Sequence, residues 1–76
     1  MAGGLPAVTG KDLVAALKRG GWQVVRVQGS HHHLRRVIGG PLVTGPVHAG
    51  KILPPGTLGN ILKQTGLTAD QLKDLL

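Results

Sequence analysis

The chain has no cysteine, no phenylalanine and no tyrosine, and only three acidic residues among 76. Without cysteine there is no disulfide and no thiolate metal site, the two staples on which very small domains often rely. Without Phe or Tyr the core must be aliphatic, built from Leu, Val and Ile around the single aromatic residue, Trp22. A domain this short buries only roughly 60% of the surface its unfolded chain exposes, so such a core is thin. Dimerisation or a tight partner would offset the shortfall. No apolar run approaches the roughly 20 residues that a membrane-spanning helix requires. Met1–Ala7 carries no positive charge and too short an apolar stretch for a secretory signal, so a cytoplasmic protein is expected.

Cations are what the chain has in excess. Nine Lys and Arg face Asp12, Asp70 and Asp74, for a formal net charge of +6. The natural partners of such a chain are polyanions. Its basic residues are dispersed, not massed on one amphipathic helix, which disfavours a membrane surface. Dispersion suits contact with phosphates more than reading of bases. With one aromatic residue, which is expected in the core, base stacking is a poor fit and recognition of backbone and shape a better one.

The pattern predicts one domain over residues 1–76, with residues 1–8 a loose Gly- and Ala-rich arm. Thr9 offers an N-cap, with Asp12 in the first turn of a helix over Gly10–Arg19 whose Leu13, Val14 and Leu17 fall at helical spacing, with Ala16 filling in. Gly20-Gly21 ends it. Trp22–Val27 reads as a strand, Gly29-Ser30 as a turn, and His31 or His32 to Ile38 as a second strand. After Gly39-Gly40-Pro41, Leu42-Val43-Thr44 begins a third strand, which Gly45-Pro46 should interrupt or confine to an edge. Pro55-Gly56-Thr57 opens a helix with Leu58, Ile61 and Leu62 inward, and Gly66 closes it. Thr68 and Gln71 form a capping box for a short last helix bearing Leu72, Leu75 and Leu76. The class is α+β, a small three-stranded antiparallel sheet backed on one face by helices, with its other face left to water or ligand.

The run Gly29-Ser30-His31-His32-His33 carries the chemistry. Histidine is the side chain whose unperturbed charge change falls near neutral pH. It suits removal of a proton from a ribose 2′-OH or delivery of one to a leaving 5′-oxygen. Alternation puts His31 and His33 on one face, and His32 with Leu34 and Arg36 on the other. Arg35, Arg36 and Lys51 are the candidate cations for charge growing on a phosphate. The bland alternative is a polar turn whose histidines solvate a strand end. A metal site on the triplet and His48 lacks zinc-like ligand spacing and is not expected. No phosphate-cradling glycine loop is present either.

The succession Gly20-Gly21-Trp22, Gly29-Ser30-His31-His32, Val43-Thr44 with Pro46-Val47-His48, and Pro55-Gly56-Thr57-Leu58 with Ile61-Leu62-Lys63-Gln64-Thr65-Gly66-Leu67 resembles the HicA (YcfA-like) toxins. The resemblance covers nearly all of Lys11–Leu76. It implies a double-stranded-RNA-binding-domain-like α-β-β-β-α fold, and an mRNA interferase that cuts RNA independently of the ribosome. It also implies neutralisation by a HicB-like antitoxin. The family's catalytic histidine, two positions after the motif Ser, falls on His32, and Gly29 and Ser30 match the turn presenting it. His31 falls on the motif's variable position. His33-Leu34 replaces a bulkier apolar pair common in the family, Gly45 stands where a β-branched residue is usual, and His48 matches a frequent histidine of open role. The expectation is metal-free, cofactor-free transesterification to a 2′,3′-cyclic phosphate by His32. Arg35, Arg36 and Lys51 would hold the phosphate, Lys63 would add a further RNA contact, and Lys11 and Lys18 would give background attraction. A non-catalytic RNA-binding module of the same fold, or a protein that binds an acidic partner, remain the alternatives.

Overall fold

A computed structural model describes residues 4–76. The elements are α1 (Gly10–Arg19), β1 (Trp22–Gln28), β2 (His31–Arg36), β3 (Val43–Pro46), α2 (Pro55–Thr65) and α3 (Ala69–Leu75). The strands form one antiparallel sheet in the order β1-β2-β3, with the helices on one face. This is the expected α+β layout, consistent with a double-stranded-RNA-binding-domain-like fold.

Each helix begins and ends where its local chemistry dictates. Thr9 accepts the Asp12 backbone N–H at 3.1 Å and starts α1. Pro55 occupies the first turn of α2, and Gly66 ends it at φ 78°, a backbone conformation that costs glycine little. Thr68 and Gln71 cap α3 reciprocally, through bonds of 3.1 and 2.9 Å. Leu13, Ala16 and Leu17 of α1, Leu58, Ile61 and Leu62 of α2 and Leu72 of α3 close over Trp22, Leu34 and Val43 of the sheet. Leu75 only borders this core, and Leu76 is exposed.

Strand β1 runs one residue further than expected, to Gln28, and β3 begins at Val43 rather than Leu42. Three other boundaries have an evident local reason. The arm over residues 1–8 is anchored at its end: Val8 is buried, and its carbonyl accepts the Leu53 N–H at 2.8 Å. Its first three residues lie outside the described residues. Strand β2 stops at Arg36, not Ile38, because the Gly39 N–H bonds to the Arg36 carbonyl at 2.8 Å and turns the chain. Strand β3 runs through Gly45 and ends on Pro46. The Val47 N–H donates to the Ser30 carbonyl at 2.6 Å, which makes Ser30 and Val47 a hydrogen-bonded pair. The adjoining His31–Pro46 pair is then non-hydrogen-bonded, so the missing N–H of Pro46 faces away from β2. As the proline required, β3 is an edge strand.

Two features set the geometry around the histidines. Gly10 lets α1 approach β3, since a Cβ there would meet the Pro46 carbonyl oxygen and come within 2.9 Å of Val47 Cα. Strand β1 also carries a bulge: Val24 pairs with Leu34, but Arg26 pairs with His33 and Val27 with His32. The extra residue, Val25, brings Val27 onto the helix side and turns Arg26 to the open side.

Candidate active site

The Gln28–His31 pair closes a two-residue loop, Gly29-Ser30. Gly29 has φ 56°, and no described residue other than glycine has positive φ, the sign pattern of a type II′ hairpin turn. The bond from the Val47 N–H to the Ser30 carbonyl fixes this turn to the end of β3. The histidines that follow are therefore held by ladders on both sides.

They do not share a face. His31 is exposed on the open side of the sheet. His33, half-buried on that same side, places Nδ1 2.8 Å from Thr44 Oγ1 and Nε2 3.1 Å from Gln28 Oε1, which ties all three strands together. That closeness follows from the non-hydrogen-bonded His33–Thr44 pairing, in which side chains approach most closely. Both ring nitrogens of His33 are thus engaged. His32 alone of the three faces the helices, between Val27 and Gly45 on its neighbouring strands.

His32 lines a cleft of about 460 Å³ between α1 and the sheet. Lys11, Val14, Ala15 and Lys18 form one wall, Val24, Val27 and His32 the other, and Val47 closes an end. The α1 wall is a single stripe, because positions i, i+3, i+4 and i+7 share a helix face. The His32 Nδ1 atom is buried and has no hydrogen-bond partner among the described residues. The arrangement offers one acid–base group in a mostly apolar cleft with two lysines on the opposite wall. An anion entering there leaves bulk water and meets positive charge, conditions under which electrostatic stabilisation is strong.

The other expected site residues are distributed around the molecule. Arg36 stands over the Trp22 ring, its guanidinium carbon 4.2 Å from the centroid, and donates to the Thr65 carbonyl at 3.3 Å. It is committed to joining β2 to the end of α2. Arg35 alternates to the open face, opposite Gln23. Lys51 follows a turn closed by its own N–H on the His48 carbonyl at 3.1 Å, and both side chains are exposed. Lys63 is exposed in the last turn of α2. Gly29 and Ser30 sit at the hairpin tip beside His32. None of Arg35, Arg36 and Lys51 lines the cleft with His32. Lys11 and Lys18, which the sequence marks only for diffuse attraction, are the cations lining its cleft. Their seven-residue spacing is visible in the sequence, but the wall they face is not.

Among the described residues no group of three or more His, Cys, Asp or Glu converges as metal ligands would. No helix among them is long and apolar enough to cross a membrane.

A small α+β domain with a single histidine in a cleft that two lysines also line defines the class: a small, basic α+β protein with one acid–base side chain in its cleft. The chain matches the family described as HicA toxin of bacterial toxin–antitoxin over residues 10–67, and it belongs to that family. No curated protein matches the chain significantly. Membership makes it a toxin of a toxin–antitoxin system, in a family of nuclease-type toxins, and implies an antitoxin as its partner.

Proposed function

We propose that this protein is an mRNA endoribonuclease that cuts without the ribosome or a metal ion, with His32 as its acid–base group. The observation that carries the reading is that His32 alone of the three clustered histidines faces the cleft walled by Lys11 and Lys18. RNA supplies its own nucleophile, the ribose 2′-OH. His32 takes the 2′-OH proton as the 2′-oxygen bonds to phosphorus, and the bond from phosphorus to the 5′-oxygen breaks. The leaving oxygen takes a proton from water or from the His32 imidazolium. The products are a 2′,3′-cyclic phosphate and a 5′-hydroxyl end. Lys11 and Lys18 stabilise the charge that builds on the non-bridging oxygens.

Of the remaining cations, Arg35, Lys51 and Lys63 hold phosphates away from the scissile one, and Gly29 and Ser30 shape the tip over which RNA enters. Arg36 supports β2 from its far end. A HicB-like antitoxin would act by covering the His32 cleft, so it should compete with RNA. A ternary complex that still cleaves would rule out this masking.

The test is incubation of the protein with a long RNA in EDTA, beside a His32→Ala variant whose fold is checked by Trp22 fluorescence. Cleavage by wild type alone, leaving cyclic phosphate ends, is the expected result. Ends bearing 3′-hydroxyl and 5′-phosphate would overturn the mechanism. RNA binding without cleavage by either protein would reduce the function to that of a binding module.

A further inference from the structure

The side of the sheet away from the helices carries its own cations. Residues directly opposite in an antiparallel pair share a face, so Arg26 lies with His33 and Arg35 with Gln23. Alternation adds His31, and Arg26, Arg35 and His31 are all exposed. Arg26 is there only because of the bulge at Val25, since strict alternation from Val24 would have turned it toward the helices.

No acid balances them. Asp12 is on α1, and Asp70 and Asp74 are on α3. The only ion pair among the described residues, Lys73 with Asp70 at 3.9 Å, is also on α3. Arg26 and Arg35 are diagonal neighbours across β1 and β2, about 7–8 Å apart at the backbone, where like charges repel mildly. Solvent faces of sheets normally intersperse both signs. Here the fold spends a bulge to concentrate one sign on a floor made rigid by the His33 bonds to Thr44 and Gln28.

We propose that this open face is a second RNA-binding surface, holding the phosphodiester backbone of the strand whose scissile phosphate lies in the His32 cleft. The inference rests on the reading of the cleft as an RNA site. His31 and His32 are adjacent in the chain and face opposite sides, so the strand passes from one surface to the other around the Gly29-Ser30 turn. That path requires a flexible single strand. The face has no Phe, Tyr or Trp, because the one tryptophan, Trp22, is buried, so its two arginines hold backbone phosphates and only the His31 imidazole is left to meet a base.

The experiment measures binding of a fluorescent single-stranded RNA of about 20 nucleotides by anisotropy, between about 50 and 200 mM KCl. It uses His32→Ala protein, so that the RNA stays intact, with and without Arg26→Gln plus Arg35→Gln. Removing two phosphate contacts should flatten the slope of log K against log salt by about 1.4. Arg26→Lys plus Arg35→Lys should restore the slope, and an unchanged thermal midpoint shows that the fold is intact. Unchanged affinity and slope in the glutamine variant would overturn the proposal. An equal flattening in Lys73→Gln, which removes a charge from α3, would overturn it too. So would loss of binding to poly-glutamate with RNA binding intact, because the face would then serve an acidic protein. Cleavage by the wild type is scored separately: flattening without cleavage refutes the role of His32, and cleavage without flattening refutes the second surface.

Discussion

Gly10 and Gly59 both lie in helices, yet alanine should act with opposite sign at the two positions. At Gly10 the new methyl would meet the Pro46 carbonyl oxygen and lie 2.9 Å from Val47 Cα. These are backbone atoms at the end of the edge strand and just past it and cannot rotate away, so α1 must lift from the sheet. Overpacking of this kind costs about 1–3 kcal/mol. The gain in helix propensity from Gly to Ala, at most about 1 kcal/mol, is smaller at a first helical position. The net expectation is destabilisation of about 2 kcal/mol, or a thermal midpoint lower by about 10 °C in a domain of this size. At Gly59 a Cβ would meet only the Leu5 side-chain tip, at 4.0 Å. Alanine there should stabilise by about 0.5–1 kcal/mol, through propensity and a less flexible unfolded chain.

Urea unfolding followed by Trp22 fluorescence reads both effects, because the indole is buried and reports exposure. With a slope of about 1 kcal/mol per molar, Gly10→Ala should lower the urea midpoint by about 2 M. The variant should also cleave RNA poorly while still folded, since Lys11 follows Gly10 on the displaced end of α1. Gly10→Ala as stable as wild type, with Gly59→Ala raised as expected, would show that α1 does not approach β3 this closely.

Other substitutions separate the site from its scaffold. His33→Ala removes the bonds to Thr44 and Gln28 and should cost about 1 kcal/mol by urea unfolding, while cleavage per folded molecule stays close to wild type. A loss of cleavage as complete as in His32→Ala would move the acid–base role to His33. Lys18→Gln should lower kcat/KM for RNA by about tenfold or more without changing the urea midpoint, because a cation is lost from the cleft and none from the core. Equal activity in Lys18→Gln and wild type would remove that lysine from the site. Arg36→Ala loses the stack on Trp22 and the bond to Thr65, so it should reduce stability by about 1–2 kcal/mol. A large drop in RNA affinity at unchanged stability would contradict the scaffold role given to Arg36.

The helices were legible because their ends are written in short-range chemistry. Thr9 and Asp12, Pro55 and Gly66, and Thr68 and Gln71 each act within a few residues, so sequence and structure place these ends within a residue of each other. Strand ends were less legible, because they depend on partners distant in the chain. Pro46 could join β3 only because the register turned its missing N–H outward, and that register is fixed by Val47 on Ser30. The bulge at Val25 had no sequence signal beyond a run of valines, yet it decides which way Arg26 and Val27 point.

By itself the sequence determined a basic α+β domain, an aliphatic core around Trp22, and the Gly-Ser-His-His run that was part of its resemblance to the family. Alternation along β2 was enough to set His32 on a different face from His31 and His33, since that property belongs to a single strand. Only the tertiary structure decided which charges accompany His32. A helix crossing a sheet brings together residues with no shared periodicity, so Lys11 and Lys18 face the histidine across a cleft that neither segment encodes alone. The same packing drew Arg36 onto Trp22 and left Arg35 on the open face. Neighbours in sequence became members of different surfaces because backbone alternation separates faces, whereas only packing joins them.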